Sequence, residues 1–385
     1  MRKFAIFSWI FAIAFGLILN PIGALSVNAS QDVSVSAEAF ALIDEFGNIL
    51  FENNAHTRLP MASTTKIMTA MVALDFLELD QIVSIPAEAV GIEGSSAYFK
   101  AGERLKVNDL LHALLLQSAN DSAMALAIAA TGSVERFCDA MNEKAKSFGL
   151  VNTHFDNPHG LDSESHYTTA YELALITAKA IEDPKVSAIM SKRKYTCVSE
   201  QRFERVFVNH NKLLSIYEYC IGGKTGYTKA DGRCLATAAE HNGVRLIAAT
   251  LDAPNDWDDH QRLYRAGFAL YEEQKLCDAF EYAAVLDVVG SSEKSVTCHN
   301  TASVYAHVLK GCEISALIEL DSFEYAPIYE GQSVGRVVFL QNGNEIASAE
   351  LLAKTEAREE KREEKAGFWD KIIKFFRRIY SAIFK

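Results

Sequence analysis

Pro60-Met61-Ala62-Ser63-Thr64-Thr65-Lys66-Ile67-Met68-Thr69 is the stretch on which both the fold and the chemistry of this chain turn. Pro60 closes off what precedes it. From Thr64 onward, Ile67, Met68, Met71 and Leu74 recur at helical spacing, which predicts a buried helix beginning at Ser63. Lys66 then emerges one turn on and on the same face, so its amine falls within hydrogen-bonding range of the Ser63 hydroxyl. A serine hydroxyl needs an adjacent base to act as a nucleophile, and a lysine near its reference pKa of about 10.4 is protonated at neutral pH. The pair is therefore chemically useful only where burial, or a second cation nearby, favours the neutral amine. Taken alone, Ser-x-x-Lys is so short that it more often describes an N-capping serine beside an exposed lysine.

Working outward, Ala39 to Asp44 and Ile49 to Asn53 are apolar-rich runs around Glu45-Phe46-Gly47-Asn48, a β-hairpin feeding the serine helix. That helix runs to roughly Leu79. Ile82 to Ile85 is extended, and 91–102 is a loop containing Gly94-Ser95-Ser96. Val107-Asn108-Asp109 starts a helix with an apolar stripe at Leu110, Leu111, Leu114 and Leu115, and an Ala-rich helix runs to about Ala130. Between the two stands Gln117-Ser118-Ala119-Asn120-Asp121, a polar interruption that is costly inside a core unless it forms a hydrogen-bond network or a site. Helices are expected over 134–148 and 169–181 with a turn at Asn157-Pro158-His159-Gly160. Extended segments follow at 203–208, 235–239 and 244–251, the last two joined through Asn242-Gly243. The two N-terminal strands and about three later ones form one antiparallel sheet flanked by helices, an α/β (α+β) domain. A β-rich domain follows, with strands at 283–289, 315–320, 334–340 and 345–351.

Both ends have a different character. Arg2 and Lys3 precede an apolar run from Phe4 to Leu19 and a small-residue site at Val27-Asn28-Ala29, so 1–29 reads as a secretory signal peptide. Residues 354–367 are a spacer of mixed charge. Over 368–385, Phe368, Trp369, Ile372, Ile373, Phe375 and Phe376 share one face of a helix while Lys371, Lys374, Arg377 and Arg378 take the other, the pattern of a helix lying in an anionic membrane surface. The expected order is thus signal 1–29, first domain 30–275, β-rich domain 276–353, spacer and amphipathic helix. A net charge of -12 gives no footprint for nucleic acid. Seven cysteines show no Cys-x-x-Cys or Cys/His cluster, so no metal and no cofactor are implied, and most read as small buried apolar residues.

Two further motifs change the weight on Ser63 and Lys66. Ser118-Ala119-Asn120 stands at the interhelix break, and Lys224-Thr225-Gly226 follows Gly222-Gly223. In this order the three resemble the signature of penicillin-binding proteins and related β-lactamases. From Val33 to Leu352 the chain is similar to low-molecular-mass penicillin-binding proteins that are serine-type D-alanyl-D-alanine carboxypeptidases. The resemblance is carried also by Asn157-Pro158-His159-Gly160-Leu161, by His166 with Thr168-Thr169-Ala170, by Asn209 to Leu214 and by Glu330-Gly331-Gln332-Ser333-Val334-Gly335. Two positions depart from it: Ala119, where glycine is commoner, and Tyr171-Glu172, where Arg-Asp is expected.

The resemblance implies a β-lactamase/transpeptidase-like fold and assigns roles residue by residue. Ser63 is acylated, Lys66 accepts its proton, Ser118 relays a proton to the leaving amine, and Asn120 orients Lys66 and the substrate amide. The N–H groups of Ser63 and Tyr227 hold the oxyanion. Lys224 and Thr225 bind the terminal carboxylate, and Gly226 lets the substrate lie along the strand. Expected partners are peptidoglycan stem peptides, β-lactams as inhibitors and the membrane surface; the expected location is the extracytoplasmic face of the cell membrane. Water or an amine as acceptor stays open. A class A β-lactamase would need a glutamate-activated water, and no Glu-x-x-Leu-Asn element lies between Ser118 and Lys224. A non-catalytic wall-binding protein would have no use for the intact Ser63, Lys66 and Lys224. His159, His166 and His210 lack ligand spacing and read as structural.

Overall fold

The computed structural model describes residues 33–360, together with 372, 373 and 375–377. The expected signal peptide and most of the expected amphipathic helix lie outside the described residues. By contacts the chain divides after Gly267 into two compact units.

In the first unit, β1 (Ala39–Asp44) and β2 (Ile49–Asn53) form the expected hairpin. Its turn is templated by the Asp44 carboxylate, which accepts from the N–H groups of Phe46 and Asn48. The serine segment leads into α1 (Lys66–Phe76), the short strands β3 (Ile82–Ser84) and β4 (Arg104–Lys106), and helices α2 (Val107–Leu116) and α3 (Asn120–Thr131). Nine of the ten residues of α2 are buried, which is why the polar break after it matters. Helices α4 (Val134–Ser147) and α5 (Ala170–Glu182) follow where the periodicity places them. Then come α6 (Pro184–Met190), β5 (Lys194–Val198), β6 (Glu204–Val208), α7 (Leu213–Ile216), β7 (Cys220–Thr228), β8 (Gly232–His241), β9 (Val244–Leu251) and α8 (Asp256–Phe268).

The main sheet has the order β2-β1-β9-β8-β7 and is antiparallel throughout, two strands from the start of the unit and three from its end. β7 is therefore an edge strand. Helices α6 and α8 were not expected from the sequence. α6 is only seven residues long and is set by its cap, Asp183 accepting from the N–H groups of Lys185 and Val186 with Pro184 in its first turn. α8 hides its apolar residues Leu263 and Tyr264 among charges, with Asp256, Asp258 and Asp259 at its N-terminal end.

The second unit contains β10 (Tyr271–Cys277), β11 (Ala283–Val289), β12 (Ser295–Asn300), β13 (Val304–Leu309), β14 (Ile314–Leu320), β15 (Phe323–Tyr325), β16 (Ser333–Gln341) and β17 (Asn344–Ala353). β10 pairs with β13, and the other six form a sheet in the order β14-β16-β17-β12-β11-β15. The pairing of β10 with β13 draws residues 271–275 into this unit, so the division falls earlier than the expected 275/276. All seven cysteines are free thiols and five are buried.

Candidate active site

The serine segment departs from the simplest expectation. Ser63 does not sit in the first turn of an α-helix but in a 3₁₀ turn, Ala62–Thr65, and α1 begins at Lys66. The Thr64 hydroxyl donates to Met61 O at 2.6 Å and the Thr65 hydroxyl to Ala62 O at 2.8 Å, so side chains satisfy the carbonyls that would otherwise start the helix. Ala62 adopts φ +46°, a left-handed conformation that a non-glycine residue reaches only where its surroundings impose it. Two glycines press on this turn. A Cβ on Gly160, itself at φ +84°, would lie 2.0 Å from Ala62 O. A Cβ on Gly226 would lie 3.0 Å from Ser63 N, so the β7 backbone runs directly beside the Ser63 N–H.

Lys66 is completely buried, and its Nζ stands 2.8 Å from Ser63 Oγ. The same amine donates to the carbonyl of His159 at 2.5 Å. Burial first, and then the charge of Lys224, hold Lys66 well below the ordinary lysine range, with Asp121 pulling the other way. Lys224 is also buried; desolvation lowers it to about 7, and its Nζ donates to Ser118 Oγ at 3.0 Å and to Thr225 O at 2.7 Å. The site thus contains two amines in low dielectric. Burial favours the neutral form of both, and Lys66 also faces the charge of Lys224.

The polar break between α2 and α3 supplies the third side. Ser118 adopts φ +61° with its hydroxyl on Lys224. Asn120 Nδ2 donates to Glu93 O at 2.5 Å and its backbone N–H to Ser95 O at 2.8 Å, which ties the 91–102 loop to the site. Its Oδ1 is buried without a hydrogen-bond partner, and flipping the amide would set that oxygen against the Glu93 carbonyl, so the orientation is fixed. The expected contact of Asn120 with Lys66 is not made: Asn120 Oδ1, the atom of that amide able to accept from an amine, has no hydrogen-bond partner. Asp121 accepts from the N–H groups of Ala97 and Phe99 and from Ser96 Oγ, which completes the loop's attachment.

Residues 26–255 match the D-alanyl-D-alanine carboxypeptidase family of peptidases. The chain belongs to this family. It is similar to the D-alanyl-D-alanine carboxypeptidase DacC of Escherichia coli K12, 31% identical over 94% of this chain and 93% of that one. It is also similar to DacF of Bacillus subtilis 168, 28% identical over 88% and 89%. Among solved structures it resembles penicillin-binding protein 5 from Haemophilus influenzae, 30% identical with a TM-score of 0.61, over 85% of this chain and 98% of that one. A single-site variant of the Streptomyces K15 DD-transpeptidase is 31% identical with a TM-score of 0.59, over 62% of this chain and 99% of its own.

In this carboxypeptidase the histidines of the resemblance are scaffold. The His166 ring bridges Thr65 Oγ1 at 2.7 Å and the Asp156 N–H at 3.1 Å, and burial lowers it to about 4; His159 is lowered to about 3. Because His166 Nδ1 accepts from Asp156, the neutral ring carries its proton on Nε2 and donates to Thr65. The component missed in the sequence is the His159 carbonyl, the acceptor for Lys66. The signal was the turn itself: Asn157 Oδ1 accepts from the N–H groups of His159 and Gly160, an arrangement built to present a backbone atom. Glu172, the departure from Arg-Asp, is occupied elsewhere, accepting from the N–H groups of Val151 and Asn152.

Proposed function

We propose that this serine-type D-alanyl-D-alanine carboxypeptidase works through an acyl-enzyme on Ser63 and acts on peptidoglycan stem peptides ending in D-Ala-D-Ala. The observation that carries the reading is the 2.8 Å contact between Ser63 Oγ and a fully buried Lys66 Nζ whose burial favours the neutral amine. Lys66 takes the hydroxyl proton as Ser63 Oγ adds to the penultimate D-alanine carbonyl. The negative oxygen that forms is met by the N–H groups of Ser63 and Tyr227. Ser118, whose hydroxyl accepts from the Lys224 amine, passes a proton to the departing D-alanine nitrogen, and water then releases the shortened peptide. Lys224 and Thr225 bind the terminal carboxylate, a charge-assisted contact that selects a free C-terminus over an internal bond.

Two further elements hold the substrate. Asn120 Oδ1, the unpaired buried acceptor, receives a substrate amide N–H. β7, with Gly226 bare of side chain, receives the peptide as an added strand on its free edge. β-Lactams acylate the same serine and are released slowly.

The chain is proposed to be exported through the signal at 1–29 and to work at the extracytoplasmic membrane surface, held there by 368–385. Ile373, Phe375 and Phe376 of that segment are exposed, and among the described residues no helix is long and apolar enough to cross a membrane. Lying on the surface raises the effective concentration of enzyme on nascent wall. The test is intact mass after incubation with penicillin. A lasting adduct of one penicillin on wild type, none on Ser63→Ala, and release of D-alanine from a D-Ala-D-Ala peptide by wild type alone are expected. Rapid consumption of penicillin without an adduct would overturn the reading in favour of a β-lactamase.

A further inference from the structure

The loop 91–102, whose carbonyls hold Asn120, is itself gripped by an ion pair that the reaction does not use. Arg205 on β6 reaches Glu103, which follows the loop directly and is buried, donating from Nη1 to Oε1 at 2.5 Å and from Nη2 to Oε2 at 2.9 Å. The same guanidinium donates from Nε to Ala97 O at 2.9 Å and from Nη2 to Tyr98 O at 3.0 Å, and it stands over the Phe99 ring, 4.8 Å from the centroid. The Glu103 carboxylate also accepts the Lys100 N–H at 3.1 Å. The β5–β6 hairpin that carries Arg205 is fastened to the residue after Glu103, with the Glu200 N–H on Arg104 O at 3.1 Å and the Arg104 N–H on Gln201 Oε1 at 3.0 Å. Only the planar fork of an arginine meets one carboxylate and two carbonyls at once.

Arg205 and Asp121 divide the loop between them. Asp121, the neighbour of Asn120 on α3, takes the N–H groups of Ala97 and Phe99 and the Ser96 hydroxyl, whereas Arg205 takes the carbonyls of Ala97 and Tyr98. Tyr98 lies between these two charges with φ +57° and is 81% exposed, its N–H on Ser96 Oγ at 2.9 Å. A bulky residue stays left-handed only where its surroundings over-determine it. With the Tyr98 side chain in solvent, the backbone contacts are what hold it there. The site lies at the other end of the same loop, where Asn120 Nδ2 donates to Glu93 O and the Asn120 N–H to Ser95 O, two residues before Ala97.

We propose that Arg205, held by Glu103, is a positioning residue for Asn120: by fixing the carbonyls of Ala97 and Tyr98 it sets the Glu93 and Ser95 carbonyls that orient the Asn120 amide, and through them the placement of Asn120 Oδ1 toward the substrate amide. The inference rests on the reading of Asn120 as a substrate-binding residue of the Ser63 reaction. Arg205 touches neither Ser63 nor Lys66 and acts only through the loop.

The experiment measures kcat/KM for release of D-alanine from a D-Ala-D-Ala peptide, with thermal melting, for Arg205→Lys and Arg205→Met, each alone and combined with Asn120→Ala. Arg205→Lys keeps a cation against Glu103 but lacks the fork for the two carbonyls. It is expected to melt within about 3 °C of wild type and to lower kcat/KM about 10-fold. Arg205→Met is expected to lose at least as much activity and to melt lower; Arg205→Lys carries the test if Arg205→Met fails to fold. On top of Asn120→Ala, which itself lowers kcat/KM, neither change is expected to cost more than about twofold, because the residue through which Arg205 acts is gone. A merely structural arginine would shift the melting temperature and cost the same factor with or without Asn120. Wild-type kcat/KM in Arg205→Lys, or an undiminished loss on top of Asn120→Ala, overturns the proposal. No release of D-alanine by wild type, or a penicillin adduct on Ser63→Ala, would instead overturn the reading of the reaction.

Discussion

Lys66 and Lys224 are the same residue type with opposite proposed tasks, and the difference lies in what surrounds each. Lys66 sits beside another amine and so is pushed toward neutrality by both burial and charge, whereas only burial is felt by Lys224. Acylation at saturating penicillin should therefore rise with pH as Lys66 loses its proton, well below the pH at which a free lysine would do so; stopped acylation assays across pH check this, and a rise only near the free-lysine value would refute it. Lys224 carries the converse cost. Its folded pKa of about 7 lies below its ordinary 10.5, so the unfolded chain binds the proton more tightly. The destabilisation is complete below about pH 7 and fades only as pH rises toward the ordinary value. Lys224→Met is thus expected to raise the melting temperature at pH 6 by roughly 3 °C or more while lowering kcat/KM for a D-Ala-D-Ala peptide about 100-fold or more. A variant both less stable and inactive would mean that the Ser118 and Thr225 contacts outweigh burial of the charge. Ser63, Lys66, Ser118 and Lys224 were legible in the sequence because spacing within short motifs survives folding. The His159 carbonyl was not, since a backbone atom has no residue type to betray it.

At the scale of elements, the site is a 3₁₀ turn wedged between an edge strand and a loop, and the wedge is only as good as its glycines. Gly160→Ala would place a methyl carbon on Ala62 O and force an L-residue to φ +84°. It is expected to cost about 1–3 kcal/mol from the backbone conformation alone and to slow acylation at least 100-fold, read by denaturant unfolding and by adduct formation. A fully active Gly160→Ala would show that the turn can move without harm. The elements that the sequence revealed, α2 and the β1 strand among them, are apolar along most of their length because they are buried there. The elements it missed lack such a run: α6 is defined by its cap, α8 intersperses five charged residues among its thirteen, and β10 exposes four consecutive residues between its ends. The start of α1 was misplaced because threonine hydroxyls can replace the first helical hydrogen bonds, a choice that apolar spacing does not record. Buried neutral imidazoles supply another element-scale prediction. His260 between β8, β9 and α8 is lowered to about 3, with Thr237 Oγ1 at 2.7 Å and Thr250 Oγ1 at 3.1 Å on its ring nitrogens. Its stabilising contribution is present above the ordinary histidine value and is lost as pH falls below it, so His260→Gln should flatten the fall in melting temperature between about pH 6.5 and 4. An unchanged slope would assign acid lability to other groups.

For the whole molecule, every residue given a role in the reaction lies between 63 and 227, inside the first unit, and the K15 DD-transpeptidase corresponds to 62% of this chain while being covered over 99% of its own length. The described part of this unit, 33–267, has its own core: a five-stranded sheet whose strands come from both of its ends, with α1, α2, α3 and α5 buried around it. Closing the sheet needs β1 beside β9, so the fold is complete only when the chain has reached Leu251, and it asks for no strand from beyond Gly267. A fragment spanning 33–267 is therefore expected to fold cooperatively, to form the penicillin adduct at Ser63 within about threefold of the full-length rate, and to release D-alanine from a soluble peptide. The same fragment should fail to sediment with anionic lipid vesicles that the full chain binds, because the basic amphipathic segment 368–385 is gone. Deleting 361–385 alone should lose vesicle binding and nothing else. If the fragment folds but is not acylated, the β-rich unit shapes the serine turn from a distance. If the deletion still binds vesicles, another surface of the protein supplies the contact with the membrane.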